Sequence, residues 1–362
     1  VGSFLGSPKV LSFLLFVSLL PVADLLAAPP VLSISGNQIQ ASGCNVRLRG
    51  VNIPSLEWSN AGEGPVITST QIAVAQWKSN IIRLPVNQDR WFGCQGGSAS
   101  TYQSLVDAVV NYCNSNNVYV MIDLHWSGTS STASAPCGSG WGTATGQQDM
   151  PDANSVTFWS SVAARYSNNP AVLFNIYNEP RNVSWSVWQN GGATTSGFNT
   201  PGHQSLINTI RATGANNVIF IGGLDWAYDL RQVDSYPLTN VGNGIGFDVH
   251  IYGHKSGGVD AASNWDVYTT VAAGNHYVFV GEFGPDGNGP SCNNDAGAFD
   301  NAVIPFLNGT NNRNYVYGWA AWSWHNGACP GLLSALPGTA NSWHGQPVSL
   351  QLATPVTGCG GG

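Results

Sequence analysis

Residues 118–126, VYVMIDLHW, decide how this chain is read. Five apolar residues follow one another without alternation, and then Asp123 and His125 appear at the far end. A short, continuous apolar run suits a strand buried on both faces, as in a parallel sheet covered by helices. Working outward, seven more stretches have the same form. They are RLRGVNI (47–53), NIIRLPV (80–86), AVLFNIYNE (171–179), NVIFIGG (217–223), GIGFDVHIY (244–252), HYVFVGEF (276–283) and NYVYGWAAWSW (314–324).

Helix patterns lie between them, at 69–80, 100–116, 155–169, 203–214 and 294–309. The fourth ends in Gly214, a common helix stop, and Pro305 is expected to interrupt the last turn of the fifth. Eight strand–helix units in one chain predict the α/β class and a single (β/α)8 TIM barrel. VLSISGNQIQASGCNVRLRG (31–50) predicts a short N-terminal β-hairpin closing its bottom. The barrel is expected over 29–350, with 351–362 as a C-terminal tail or linker stub.

Residues 1–28 read as a signal peptide, with Lys9 as the charged region and Leu11–Leu20 as the apolar region. About ten apolar residues are too few to span a bilayer, which needs roughly 20. The expected location is therefore secreted, extracellular or periplasmic. There are seven cysteines, an odd number, and Cys359 in the terminal TGCGGG is the natural orphan. Disulfides are permitted after export. The cysteine and histidine spacings form no zinc pattern.

Only 9% of residues are charged, against roughly 25% in an average soluble protein. The net charge is −7, which disfavours nucleic acid and anionic membrane as partners. Hydrophobic residues make up 43%, enough for a large core and too many for a disordered chain. Fourteen tryptophans in a weakly charged chain suit neutral ligands with apolar faces, such as sugars.

Reactive groups in a (β/α)8 barrel belong at the C-terminal ends of the strands. Arg83, Asp123, His125, Asn178, Glu179, His250, Tyr252, Glu282, Trp322 and Trp324 all fall there. Burying so many polar groups is costly unless they pair, so a shared site is expected. Glu179 and Glu282 sit on strands four and seven. A pair of carboxyl groups facing each other can cleave an acetal, one as acid and the other stabilising or attacking the oxocarbenium-like carbon. Arg83 and Tyr252 are placed to hydrogen-bond an ionised Glu282, whereas Glu179 would need a raised pKa to act as acid.

Taken together, RGVN (49–52), NIIRLP (80–85), DLHW (123–126), NEP (178–180), HIY (250–252), GEFG (281–284) and WSW (322–324) resemble glycoside hydrolase family 5, which contains endoglucanases and mannanases. The elements occur in that family's order over residues 49–326. The resemblance implies Glu179 as acid/base and Glu282 as nucleophile of a retaining mechanism. It implies that Arg83 and Tyr252 orient Glu282, that Asn178 binds the 2-hydroxyl, that His125 and His250 line the site, and that Trp322 is a stacking platform. It implies no cofactor and no metal.

The expected activity is a secreted, monomeric endo-β-1,4-glucanase acting on a polysaccharide. Mannanase and xylanase or xyloglucanase are the alternatives within the family. A non-catalytic carbohydrate-binding barrel is the alternative of another class. A metal-dependent hydrolase built on Asp123, His125, His250 and Glu282 would want a His-x-His pair on one strand, which the sequence lacks. Trp58, Trp91, Trp126 and Trp226 follow strand ends and are candidate platforms, with Trp141, Trp185 and Trp188 in the same class, while Trp77 and Trp159 fall inside helix patterns as core. Adjacent loops suggest disulfides Cys94–Cys137 and Cys292–Cys329, and the bottom face suggests Cys44–Cys113.

Overall fold

The computed structural model describes residues 1–3, 28–167, 169–253, 262–269, 271–285, 296–310 and 314–355. The expected leader falls almost wholly outside this set, as do Cys292 and Cys359.

Three short antiparallel strands come first: β1 (Leu32–Ser35), β2 (Gln38–Ala41) and β3 (Cys44–Asn45). They extend the expected hairpin by one strand. Eight parallel strands then close into a barrel, in the order β4 (Arg49–Asn52), β5 (Ile81–Asn87), β6 (Tyr119–Trp126), β7 (Val172–Asn175), β10 (Ile219–Gly222), β11 (Ile245–Tyr252), β12 (Val278–Gly284) and β13 (Gly318–Ala321), with β13 pairing back to β4. The short pairs β8 (Gly192–Ala193) with β9 (Asn199–Thr200), and β14 (Leu333–Ala335) with β15 (Thr339–Ala340), belong to connecting loops. Six of the eight barrel strands lie within the stretches read from the sequence, and β5 and β12 run one residue further, to Asn87 and Gly284.

The helices are α1 (Val66–Ala75), α2 (Gln88–Trp91), α3 (Ala99–Ser115), α4 (Asn154–Tyr166), α5 (Trp185–Asn190), α6 (Gly202–Ala212), α7 (Leu224–Ala227), α8 (Ala262–Tyr268), α9 (Ala296–Leu307) and α10 (Gly345–Ala353). Pro305 sits in the last turn of α9, where the helix continues two residues further. The fifth strand breaks the repeat. Its connection to β11 carries only the single turn α7, in which Asp225, Trp226 and Ala227 all have φ between +56° and +58°. Side chains with a Cβ rarely adopt that region, and a regular helix cannot include it.

Strand periodicity divides the barrel interior into two layers. Ile81, Met121, Leu173, Phe220, Phe279 and Ala320 point inward at the bottom and pack with Leu32 and Ile39 of the N-terminal sheet. That sheet approaches closely enough for the Ile34 amide to donate to the Asn243 carbonyl at 2.7 Å. A Cβ on Gly244 would sit 2.7 Å from that of Ile34, so the contact needs glycine there. Two residues further along β5, β6 and β7 the inward positions become Arg83, Asp123 and Asn175, joined by Asp248 of β11, all fully buried. The outward positions, such as Ile82, Leu84, Val120, Ile122, Val172, Val249 and Ile251, pack under the helices.

Cys94 and Cys137 form the expected disulfide, linking the loops after β5 and β6. Cys329 is also disulfide-bonded, and its expected partner Cys292 lies outside the described residues. The expected Cys44–Cys113 bridge does not form, and Cys113 remains a buried thiol. Cys113 is on the face of α3 buried against the barrel, whereas Cys44 belongs to the N-terminal sheet. Among the described residues no helix is long and apolar enough to cross a membrane.

Candidate active site

The upper, polar layer of the barrel is organised around one guanidinium. Arg83 of β5 is fully buried. Its Nη1 donates to Glu282 Oε1 at 2.7 Å and to Asn52 Oδ1 at 2.9 Å. Its Nη2 donates to Asn178 Oδ1 at 2.6 Å and Asn175 Oδ1 at 2.8 Å, and lies 3.1 Å from Asp123 Oδ2. Nε completes the set with Asn175 Oδ1 at 3.1 Å. A rigid, planar fork with five donors suits such a cluster, because each donor has an acceptor at a fixed angle. Burial opposes the charge on Arg83, but Asp123, Glu282 and Asp248 together outweigh it and hold the guanidinium ionised.

Glu282 reaches this layer through an irregularity in β12. Val249 pairs with Val280, but His250 pairs with Glu282, so Gly281 is an extra residue. Phe279 faces into the barrel and Val280 faces out. Strict alternation would turn residue 282 outward, and the β-bulge restores it to the inside. The Tyr252 hydroxyl donates to its second oxygen at 2.5 Å. Burial, then the charges of Glu282 and Glu179, push the Tyr252 phenol well above its ordinary value, so it stays a donor.

Glu179 follows β7 and is 14% exposed at its side chain, against 4% for Glu282. His250 Nδ1 meets Glu179 Oε1 at 2.8 Å and Glu282 Oε2 at 3.5 Å. An oxygen of each carboxylate and the imidazole nitrogen lie within 4.8 Å of one another. A divalent ion would accept that spacing, but hydrogen bonds already occupy these atoms. Gln147 Nε2 donates to the other Glu179 oxygen at 2.7 Å, and Gln147 is itself tied down by Arg181 at 2.7 Å.

The protonation of Glu179 differs from the sequence expectation. Burial would raise its pKa, but the His250 hydrogen bond and charge, with help from Gln147, lower it to about 2. His250 moves the opposite way. Burial would lower its pKa, but Glu282, Asp248 and Glu179 raise it to about 10. Both shifts favour a charged imidazole beside an ionised Glu179. His125 is oriented similarly, its Nδ1 at 2.6 Å from Asp123 Oδ2. Burial opposes its charge, and Asp123 raises its pKa in spite of that.

Trp322 stacks on His125 with ring centroids 5.5 Å apart and planes 8° from parallel. Trp58 and Trp126 lie together at 6.4 Å, both half-buried. Glu63 fixes Trp58 by accepting from its Nε1 at 2.7 Å and from His325 Nε2 at 2.9 Å. Trp226 is 39% exposed, with Arg181 over its ring. These four can present aromatic faces to a ligand. Trp91 cannot, and its assignment as a platform is corrected: it is completely buried between Phe158 and Tyr166 because it closes α2 facing α4. Trp141, Trp185 and Trp188 are buried too, and so is Trp324, whose Nε1 donates to Pro337. Trp77 and Trp159 are core, as their helical spacing indicated.

Sequence reading missed Asn52, Asn175, Asp248 and Gln147. The first three were legible in principle, since each shares an inward-facing strand position with a residue already singled out. Gln147 lies in an irregular loop, where no periodicity points to it.

Residues 39–328 match the sequence profile described as Cellulase (glycosyl hydrolase family 5). The chain belongs to glycoside hydrolase family 5. This family 5 chain is 28% identical to Endoglucanase Z of Dickeya dadantii over 232 residues, which cover 62% of this chain and 46% of that protein. It is 26% identical to Endoglucanase EG-II of Hypocrea jecorina over 346 residues, covering 82% and 75% respectively. It spans about half the length of several curated relatives that it matches. Its fold is shared with the β-glucanase SdGluc5_26A of Saccharophagus degradans, solved in complex with cellotetraose, at a TM-score of 0.69 and 20% identity over 90% of this chain and 94% of that one.

Proposed function

We propose that this family 5 enzyme is a secreted, retaining endo-β-1,4-glucanase with Glu282 as nucleophile and Glu179 as acid/base. The observation that carries the reading is the approach of the two carboxylates to within 4.8 Å. Retaining glycosidases keep their pair about 5–5.5 Å apart, while inverting enzymes need about 6.5–9.5 Å to admit a water. The approach therefore favours direct attack.

Glu282 is aimed by Arg83 and Tyr252, which grip one oxygen each. It attacks the anomeric carbon as the glycosidic bond breaks, and the departing oxygen receives a proton from Glu179. Glu179 then takes a proton from water, and the resulting hydroxide displaces Glu282 from the sugar. Asn178 is held by Arg83 through its oxygen, and its amide nitrogen, 3.4 Å from His125 Nε2, has a second hydrogen to offer a sugar hydroxyl. Trp322, Trp58, Trp126 and Trp226 supply the faces on which pyranose rings stack. The endoglucanase names of the relatives support glucan as the substrate class, and the apolar stretch after Lys9 and the Cys94–Cys137 bridge support export.

The test compares carboxymethyl cellulose, glucomannan, galactomannan and xylan, and follows the anomer first released by proton NMR. Cellulose-type substrate preferred, β-anomer first, and at least a thousandfold loss in Glu282→Gln are expected. An α-anomer first would end the double-displacement reading. Wild type as inert as both glutamine variants would favour a binding barrel. Dialysis against EDTA should leave turnover unchanged, since the hydrogen-bond network needs no ion.

A further inference from the structure

Asp248 takes no part in the mechanism above, yet it is the most incompletely satisfied group in the site. It lies two residues before His250 on the same inward face of β11 and is fully buried. Neither carboxylate oxygen has a hydrogen-bond partner. Its nearest positive neighbours are His250 Nε2 at 3.3 Å and Arg83 Nη2 at 3.9 Å from Oδ2. The barrel makes room for it: a Cβ on the bulged Gly281 would lie 2.1 Å from Asp248 Oδ1. An uncompensated buried carboxylate is expensive, and its cost falls if the neighbouring imidazole carries a charge.

His250 thus has a carboxylate beside each nitrogen: Asp248 stands 3.3 Å from Nε2 as a charge neighbour, and Glu179 is hydrogen-bonded to Nδ1 at 2.8 Å. The other groups that face it are Glu282 on β12 at 3.5 Å and Tyr252 on its own strand. Arg83 on β5 stands beyond Asp248 and Glu282, the Asp123–His125 pair on β6 stands across the barrel, and β4 contributes neutral Asn52. Three carboxylates therefore surround one imidazole.

Resting on the reading of Glu179 as acid/base, we propose that Asp248 is a positioning residue that keeps a proton on His250, making the imidazole the store from which Glu179 is supplied. When the glycosidic bond breaks, the Nδ1 proton passes to the Glu179 carboxylate and Glu179 delivers one proton to the leaving oxygen. The bond from Glu282 to the anomeric carbon forms in the same step, and His250 is left neutral. In the second step water loses a proton to Glu179, which returns one to Nδ1, while the hydroxide breaks the ester to Glu282. The net charge of the site is unchanged over the cycle.

The test is Asp248→Asn, which preserves shape and removes charge. The alkaline limb of kcat/KM on a cello-oligosaccharide should move down by at least one pH unit. With 2,4-dinitrophenyl β-cellobioside, whose leaving group needs no proton, kcat/KM should stay within a few-fold of wild type at neutral pH. An unmoved alkaline limb, or equal losses on both substrates, would overturn the proposal, the latter placing Asp248 with Arg83 and Glu282 instead. A second measurement requires neither the variant nor turnover. NMR of imidazole-labelled wild type, assigned with His250→Asn, should find His250 protonated at pH 8; a neutral ring would overturn the proposal. Because this readout needs no substrate, it stands even if the glucanase reading fails.

Discussion

Glu57 offers the sharpest test of the electrostatics beneath the site. It follows β4, just before Trp58, and is fully buried. Oε2 accepts the Ser55 amide at 2.7 Å, and Oε1 has no hydrogen-bond partner. Burial is the main influence on its pKa and raises it from 4.5 to about 7, with the His125 charge pulling the other way. At about 1.4 kcal/mol per pH unit, that rise corresponds to about 3 kcal/mol of folding free energy. The sign follows from which state ionises first. Below pH 4.5 the carboxyl is protonated in both states and costs nothing. Between 4.5 and 7 the unfolded chain ionises while the folded one resists, so stability falls as pH rises, and above 7 the loss is complete. Glu57→Gln keeps the acceptor for Ser55 and cannot ionise. Wild type should therefore lose about 3 kcal/mol relative to the variant between pH 4 and pH 8, or about 4 °C in Tm for a chain this long. Thermal unfolding of both proteins across that range measures the difference, and the other titrating groups cancel because both share them. A wild-type minus variant difference that stays constant over pH would refute the reasoning.

Trp91→Ala should destabilise by about 3–5 kcal/mol through the cavity it leaves, with KM unchanged, whereas Trp58→Ala should raise KM at little cost in stability; denaturant unfolding with steady-state kinetics separates the two. Arg83→Lys replaces five fixed donors by three mobile ones and leaves buried acceptors unmet, so kcat should fall by about a hundredfold or more and stability by about 2–4 kcal/mol, read from kinetics and urea unfolding. Replacing Cys94 and Cys137 by Ser frees a loop whose ends are 43 positions apart, and chain entropy sets the loss at about 4 kcal/mol, checked by unfolding the variant beside the wild type.

Much of the architecture was legible because strand burial leaves a direct trace. A barrel strand is covered on both faces, so its residues must be apolar until the chain reaches the open end, where polar side chains can meet a ligand. That one constraint located the eight strands and put Arg83, Asp123, His125, Asn178, Glu179, His250, Tyr252 and Glu282 at a single rim. Tryptophan carried no such trace. Trp91 and Trp58 both follow strand ends and are equally apolar, yet one packs under a helix and the other faces the opening, because the intervening backbone turns them differently. Cysteine pairing failed at Cys113 for a related reason: a helix position decides which face meets the core, and that face looked away from Cys44.

The order of residues along the chain determined the strand count, the closure of the barrel and the chemical types gathered at its mouth, since these follow from burial summed along each segment. Tertiary packing alone decided that the extra residue Gly281 turns Glu282 inward, that Asp248 stands behind His250, and that three carboxylates surround that imidazole and favour its charged form. Those outcomes depend on separations of a few ångströms between side chains distant in sequence, where Coulomb energies are steepest.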